Sequence, residues 1–371
     1  MVRFIKVAFV NWRPSDEYFS ELSKELSEKG IKTDAIPLIS EFHLSNLDPR
    51  ALIEYDVVYF VNLFYPNDEL YYLLRLSRTL ETKPIVYGVH APVVMPRFRG
   101  YRPRNYLYSM LSLLRLIVER TFINNQICSI HVLNSFDLQV FRALRFRRVA
   151  YIPWGIPNTI LENCQPSPDE KQSDRFTIVF VGARYGKGAD IAYSVISSLL
   201  PRFPDIHAKI FLGHGTLPAL VQHLQNLADK FPNRVDIFHL LSRRDFLKEL
   251  LQAHLLLFPS KYETFGLVVL EALACGTPVV AFDIPGAPRD LLKPAVSRGE
   301  LCGHIAKNFD LKSLTRGVLK YYLLWKKDSS YVVPSISSRR LAERYPLTNM
   351  AMDLAKLFNE AALSCRSGCS C

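Results

Sequence analysis

Strand-length apolar runs recur along this chain at helix-length intervals, and few folds accommodate that rhythm. IKVAFV, DVVYFV, PIVYGVH, SIHVLN and VAYIPW lie in the first half. Each is nearly continuous in its apolar character, as a strand covered on both faces must be; a strand with one wet face would alternate. Helical stretches separate the runs. In SDEYFSELSKELSEKG, Ser15 or Asp16 can cap the start, acids fill the first turn and Gly30 closes the end. The repeated β–α–β order predicts a parallel sheet wound with helices on both faces.

The texture breaks near Gln165, where NCQPSPDEKQSDR is polar, charged and contains proline, as a linker does. Then the alternation restarts with FTIVFVG, AKIFLG, VDIFHL, LLLFPS and PVVAF, again with helical stretches between. A chain of 371 residues, 49% hydrophobic, can build two cores. The expected organisation is an α/β protein of two Rossmann-like, doubly wound parallel-sheet domains facing across a cleft. The first spans 1–165, the second 166–345, and 346–371 holds a last helix, near 348–363, and a tail. Ligands of open α/β sheets sit at the carboxyl ends of strands, so chemistry should follow directly after the apolar runs.

Charge is unevenly spread. Between Lys83 and Ala150, eleven Lys or Arg face two acids, so this region carries most of the net +11. Within it Arg97, Arg99, Arg102 and Arg104 interleave with Phe98, Tyr101, Tyr106 and Tyr108, ahead of an apolar helix. Three readings stay open: shallow docking on an anionic membrane, a solvated loop over a core helix, or a nucleic-acid backbone. The last is the least favoured, and no nucleic-acid partner is expected. No run approaches the roughly 20 apolar residues that span a bilayer. The N-terminus, with a charge inside a short apolar stretch, reads as a first strand and not as a secretory leader. Seven scattered cysteines argue against a disulfide framework and for a reducing cytoplasm. Cys365, Cys369 and Cys371 offer fewer thiols than a structural zinc site needs. They read as a lipid attachment site or an untethered tail. The expected location is cytoplasmic, with the inner membrane face as the surface on which the basic region would dock.

The most informative stretch is FPSKYETFGLVVLEALACGTPVVAF, residues 258–282. It predicts a strand end, a loop and a helix starting near Thr264. The N–H groups of Thr264, Phe265 and Gly266 would lie at the positive end of that helix, which suits a phosphate. Glu263 stands at its mouth. Glu271 lies inside the apolar helix, where a carboxylate must be satisfied. Hydroxyls of a ligand would do this, and so would a buried arginine. IVFVGARYGKGAD ends a second strand in a loop with Gly182, Arg184 and Lys187, two cations suited to a departing diphosphate or simply to solvent. KIFLGHGTL carries Gly213 and Gly215 after a further strand, and IFHLLSRRDF carries Leu240 and Leu241, which read as core or as a loop. His90 ends PIVYGVH, either as a satisfied structural residue or as a site residue.

YETFGLVVLEALACGTPVVA resembles the E-x7-E segment of family 4 glycosyltransferases, the retaining GT-B enzymes that use nucleotide sugars. The flanking FG, EA, GTPVV and PG elements match too, and so does Lys187-Gly188. The resemblance implies a hexosyltransferase moving a sugar from a nucleotide-diphospho-sugar to a glycan or lipid-linked acceptor. It implies a role for Glu271 on the ribose and for Glu263 on donor-sugar hydroxyls. It sets Arg184 and Lys187 on the diphosphate, and the backbone from Thr264 to Leu267 on the distal phosphate. Gly182, Gly213, Leu240 and Leu241 would complete the donor site, and His90 would face the donor sugar. The last helix would brace the first domain. The donor is a substrate, so no cofactor is expected, and with no DxD triplet no metal is expected either. One departure stands out. Relatives often carry a Gly-rich loop after the first strand, whereas this chain has Asn11, Trp12 and Arg13. Trp12 and Arg13 fall on the acceptor side. Two rival readings remain: a nucleotide-sugar-binding partner subunit without turnover, and a nucleic-acid binder using the basic face.

Overall fold

The computed structural model describes residues 4–12, 17–37, 39–40, 43–44, 49–62, 80, 83–90, 114, 117, 120, 127–166, 171, 174–182, 184–213, 216 and 218–366. Two compact units emerge: Met1–Pro157 together with Pro346–Cys371, and Asn158–Tyr345.

In the first unit, β1 (Ile5–Val10), β2 (Ile31–Ile36), β5 (Val57–Asn62), β6 (Ile85–Val89), β7 (Ser129–Val132) and β8 (Val149–Tyr151) form one parallel sheet. Its order is β2-β1-β5-β6-β7-β8, and a two-residue-stranded hairpin, β3 (Ile39–Ser40) with β4 (His43–Leu44), stands apart. The central strands are buried along their length, as their apolar runs require. β2 is not one of the apolar runs. Its sequence, IKTDAI, is half polar because it is an edge strand with an open side. Helix α1 (Glu17–Glu28) buries Tyr18, Phe19, Leu22 and Leu26 on one face, and Gly30 at φ +80° ends it. Its expected cap residues, Ser15 and Asp16, lie outside the described residues. Helix α2 (Ser135–Ala143) follows β7, capped by Asn134, whose side chain accepts from Asp137 N at 2.8 Å. The C-terminal helix, Leu347–Arg366, also belongs to this unit. Leu347 N donates to Ile156 O at 2.7 Å. Phe358 packs edge-on against Phe9 and Tyr59 with ring centroids 5.8 and 5.4 Å away.

The second unit holds α3 (Asn158–Asn163), β9 (Phe176–Val181), α4 (Ala189–Leu199), β10 (Ile206–Leu212), α5 (Pro218–Lys230) and β11 (Val235–His239). It continues through α6 (Arg243–Gln252), β12 (Leu255–Phe258), α7 (Leu267–Ala274), β13 (Val279–Phe282), α8 (Lys293–Ser297), β14 (Gly303–Ala306), α9 (Leu311–Lys327) and α10 (Val332–Ala342). The sheet is parallel throughout, ordered β11-β10-β9-β12-β13-β14. The unit starts at Asn158, upstream of the polar stretch near Gln165. Arg339 of α10 explains this: it donates to the carbonyls of Cys164 and Ala274 at 2.8 Å each, and to that of Leu161. The polar stretch is itself partly internal. Lys171 is 1% exposed, its ammonium held by Ala253 O and by Thr277 Oγ1 at 2.9 Å.

In each sheet the winding reverses beside the first strand of the unit. Those points are β1/β5 and β9/β12. Ligands of such sheets enter at the carboxyl ends of strands beside the reversal.

Candidate functional site

At the β9/β12 reversal each strand feeds a loop, and the two loops are stitched together. Lys261 N donates to Gly186 O at 2.8 Å, and Lys261 Nζ pairs with Asp190 at 2.8 Å. The approach is close enough to exclude side chains. A Cβ on Gly186 would stand 2.7 Å from Tyr262 Oη. One on Gly188, at φ +73°, would run into the Pro259 carbonyl. This closeness brings Lys187 Nζ to 2.7 Å from Glu263 Oε1. The carboxylate is 10% exposed and the lysine side chain 38% exposed, so the pair sits at a rim, not in the core. Ser260, in the same loop, is 1% exposed, and its hydroxyl has no hydrogen-bond partner among the described residues.

Helix α7 begins at Leu267, later than expected. The cause is Gly266, which at φ +88° cannot join a right-handed helix. Phe265 O is taken by Ala287 N at 2.7 Å. Thr264 and Phe265 are thus buried loop residues, and the orphan N–H groups of the helix start at Leu267. A Cβ on Gly266 would stand 3.6 Å from Glu263 Cγ, so the ion pair and the helix N-terminus are neighbours.

Glu271 has the partner that the sequence left open: Arg243 Nη2 lies 2.7 Å from Glu271 Oε1. Among the described residues this arginine supplies the counter-charge of the carboxylate, and a ligand is not required to do so. Burial pushes the Glu271 carboxyl above its ordinary range, and Arg243 pulls it back only in part. Arg243 is not among the expected site residues, although the sequence carries one signal of it. It opens α6 on RRDF, and a cation in a first turn opposes the helix dipole unless something nearby compensates it.

The other expected donor residues follow successive strands along the same sheet edge. Gly182, at φ +97°, ends β9, and a Cβ there would stand 3.1 Å from Lys187 Cγ. Arg184 is exposed and, unlike Lys187, has no ion-pair partner among the described residues. Gly213 ends β10, and among the described residues nothing stands within 4 Å of where its Cβ would be, so their packing does not demand glycine. Gly215 lies outside the described residues. Leu240 and Leu241 end β11 at 62% and 38% exposure, which removes the core reading for the pair.

In the first unit, the turn after β1 manages without glycine. Asn11 takes φ +70°, a region asparagine tolerates, and its Nδ2 donates to Val61 O at 2.8 Å. Trp12 is 6% exposed, packed edge-on to His90 at 5.6 Å and to Trp154 at 5.7 Å. His90 ends β6, and its Nε2 lies 2.8 Å from Tyr59 Oη. Arg13, Arg97, Arg99, Arg102 and Arg104 lie outside the described residues, as do Cys369, Cys371 and the side chain of Cys365. Cys128 is disulfide-bonded, while Cys164, Cys275 and Cys302 are free. An odd count excludes only complete pairing. Among the described residues no helix is long and apolar enough to cross a membrane.

Residues 165–332 match the model of the family described as glycosyl transferases group 1. By that match the second unit belongs to the group 1 glycosyltransferases. The group 1 region contains Lys187, Arg243, Glu263 and Glu271. Among curated relatives, the phosphatidylinositol N-acetylglucosaminyltransferase gpi3 subunit of Schizosaccharomyces pombe is 30% identical over 173 residues, covering 46% of this chain and 36% of that protein. A human phosphatidylinositol N-acetylglucosaminyltransferase subunit is 28% identical over 188 residues, covering 46% of this chain and 38% of its own. The chain therefore spans well under half the length of these relatives. Solved structures agree on fold over almost the whole chain. Sucrose-phosphate synthase from Thermosynechococcus elongatus superposes with a TM-score of 0.71 at 16% identity, covering 96% of this chain and 98% of that one. Anabaena HepE, solved with UDP and glucose, gives 0.66 at 17% identity, covering 96% and 99%. The architecture is GT-B, two doubly wound parallel sheets, with the group 1 match lying in the second unit.

Proposed function

We propose that this chain is a retaining glycosyltransferase that moves a hexosyl group from a nucleotide-diphospho-sugar to a glycan or lipid-linked acceptor. One observation carries the reading: Lys187 and Glu263 meet at 2.7 Å at the β9/β12 reversal, next to the N-terminus of α7. The pair is a charge-compensated resting arrangement. An arriving diphosphate offers Lys187 a second anionic partner, and Arg184 is exposed to join it. The N–H groups from Leu267 add positive potential for the distal phosphate. Glu263, released from its lysine, accepts from hydroxyls of the sugar.

In this mechanism the bond between the anomeric carbon and the phosphate oxygen breaks as the acceptor oxygen bonds to the same face of that carbon. The acceptor proton passes to the departing phosphate oxygen, and the nucleoside diphosphate leaves. No side chain forms a covalent bond. The protein supplies position and electrostatic stabilisation of the leaving group, a large share of many rate enhancements. Glu271 contacts the ribose while Arg243 holds its other oxygen. Gly182, Gly213, Leu240 and Leu241 border the nucleotide. The first unit takes the acceptor, with Trp12 and Arg13 on its side, and the arginines from Arg97 to Arg104 face an anionic membrane surface. The relatives' names make an N-acetylglucosamine-bearing nucleotide the first donor to try.

The experiment is a thermal-shift screen over UDP-, GDP- and ADP-sugars, followed by transfer and donor-hydrolysis assays with the stabilising donor. Transfer with retained anomeric configuration supports the proposal. Donor binding with neither transfer nor hydrolysis would make the chain a binding subunit. RNA or DNA retention without nucleotide-sugar binding would overturn the reading.

A further inference from the structure

A chain of hydrogen bonds runs through the core of the first unit from a backbone carbonyl to His90. His131 Nε2 lies 2.8 Å from Ile152 O, Tyr59 Oη lies 2.6 Å from His131 Nδ1, and Tyr59 Oη lies 2.8 Å from His90 Nε2. We propose that Tyr59 and His131 are positioning residues that fix His90 in one tautomer, with its proton on Nε2 and its lone pair on Nδ1.

The direction of the chain follows from what each atom can do. A carbonyl oxygen only accepts, so His131 Nε2 must carry a proton. His131 is fully buried, and burial drives its pKa down to about 4, so the ring is neutral and Nδ1 keeps its lone pair. Tyr59 therefore spends its single proton on His131 Nδ1. Its own pKa is raised by burial, so the phenol stays intact. The hydroxyl can then only accept from His90 Nε2, which makes that nitrogen the donor. Each link leaves the next a single choice.

The surroundings hold the ring in place. Trp12, Trp154 and His131 all meet His90 edge-to-face, at 5.6, 5.2 and 5.7 Å between centroids. Gly88 keeps the route open, since a Cβ there would stand 2.7 Å from Tyr59 Cζ. Burial and the neighbouring His131 both push the His90 pKa well below its ordinary value.

The consequence is a selection rule for the atom that meets Nδ1. That atom must belong to a donor group. A sugar hydroxyl qualifies, whereas a phosphate oxygen or a carboxylate does not. Resting on the glycosyltransferase reading, His90 then orients a hydroxyl of a reacting sugar and has no role on the diphosphate. Tyr59 and His131 touch no substrate and act through His90.

The test uses the full chain labelled with 15N-histidine, and long-range 1H–15N correlation at neutral pH. His90→Gln and His131→Gln assign the two patterns among the nine histidines. The expected result is a neutral Nε2–H pattern for both rings. A charged His90, or a proton on its Nδ1, would overturn the proposal whether or not the protein transfers sugar. Tyr59→Phe keeps the ring and removes the hydroxyl. It should give His90 mixed tautomers and cut kcat/KM for transfer about tenfold, with nucleoside diphosphate affinity within twofold of wild type. Unchanged kcat/KM in a folded Tyr59→Phe protein would also overturn it. Absent nucleotide-sugar binding in the wild type, by contrast, removes the glycosyltransferase reading and leaves the tautomer result standing.

Discussion

Lys187 Nζ and Glu263 Oε1 lie 2.7 Å apart although 76 positions separate them in the chain. They come from loops after β9 and β12, strands that are far apart in sequence and adjacent in the sheet. The loop after β9 is glycine-relieved where it meets Pro259 and Tyr262, so the contact is a product of backbone approach as much as of charge. A partly exposed pair of this kind contributes little to stability, on the order of 1 kcal/mol or less. Its value lies in what replaces one partner when an anion arrives.

Lys187→Ala and Glu263→Ala should therefore leave the melting temperature within a few degrees of wild type. Each should slow transfer by about 10²–10³-fold, the size of a lost electrostatic contact to a developing charge. Parallel thermal unfolding and initial-rate assays check this. Wild-type rates in both variants would remove these residues from the site.

Arg243→Ala should behave in the opposite way. It leaves Glu271 buried without its counter-charge, which costs about 3 kcal/mol at neutral pH. The sign with pH follows from the direction of the shift. Glu271 is already raised above its ordinary range by burial, so the unfolded chain releases this proton first as pH rises, and stability falls through that window. Loss of Arg243 widens the window. The deficit in melting temperature should be larger at pH 7 than at pH 5. An equal deficit at both would mean that Glu271 is not the group responding.

Acid should weaken the fold through buried histidines. His131 is held neutral with a pKa of about 4 and His254 with one of about 3, both chiefly by burial, against 6.5 for an ordinary histidine. His254 Nδ1 accepts from Thr177 N at 3.1 Å and its Nε2 donates to Lys171 O at 2.8 Å, so protonation would break a bond. The unfolded chain binds these protons first. Stability is full above about pH 6.5 and declines as pH falls toward the folded values, by about 3 kcal/mol for His131 alone. Denaturant midpoints between pH 7 and 4 measure it. His131→Gln, if it folds, should flatten part of the slope.

Two glycine substitutions give a paired control. Gly188→Ala meets both a left-handed φ of +73° and the Pro259 carbonyl, and should cost more than about 2 kcal/mol. Gly213→Ala meets nothing within 4 Å among the described residues and should stay within about 0.5 kcal/mol of wild type. A lower donor affinity in Gly213→Ala with normal stability would identify Gly213 as a ligand-facing position.

The sequence by itself determined the two doubly wound sheets, because a strand buried on both faces has to be written in apolar residues and little else in a globular chain looks like it. It also placed Glu263, Lys187 and His90 in the segments that follow such strands. It did not reveal β2 or β14, edge strands with an open side that tolerate the polar residues of IKTDAI and GHIA. Only the tertiary structure decided who meets whom. Glu271 pairs with Arg243, Lys187 with Glu263, and Tyr59 joins His90 to His131. Those pairings depend on strand order in the sheet, and a run of apolar residues says that a strand is buried without saying which strand lies beside it.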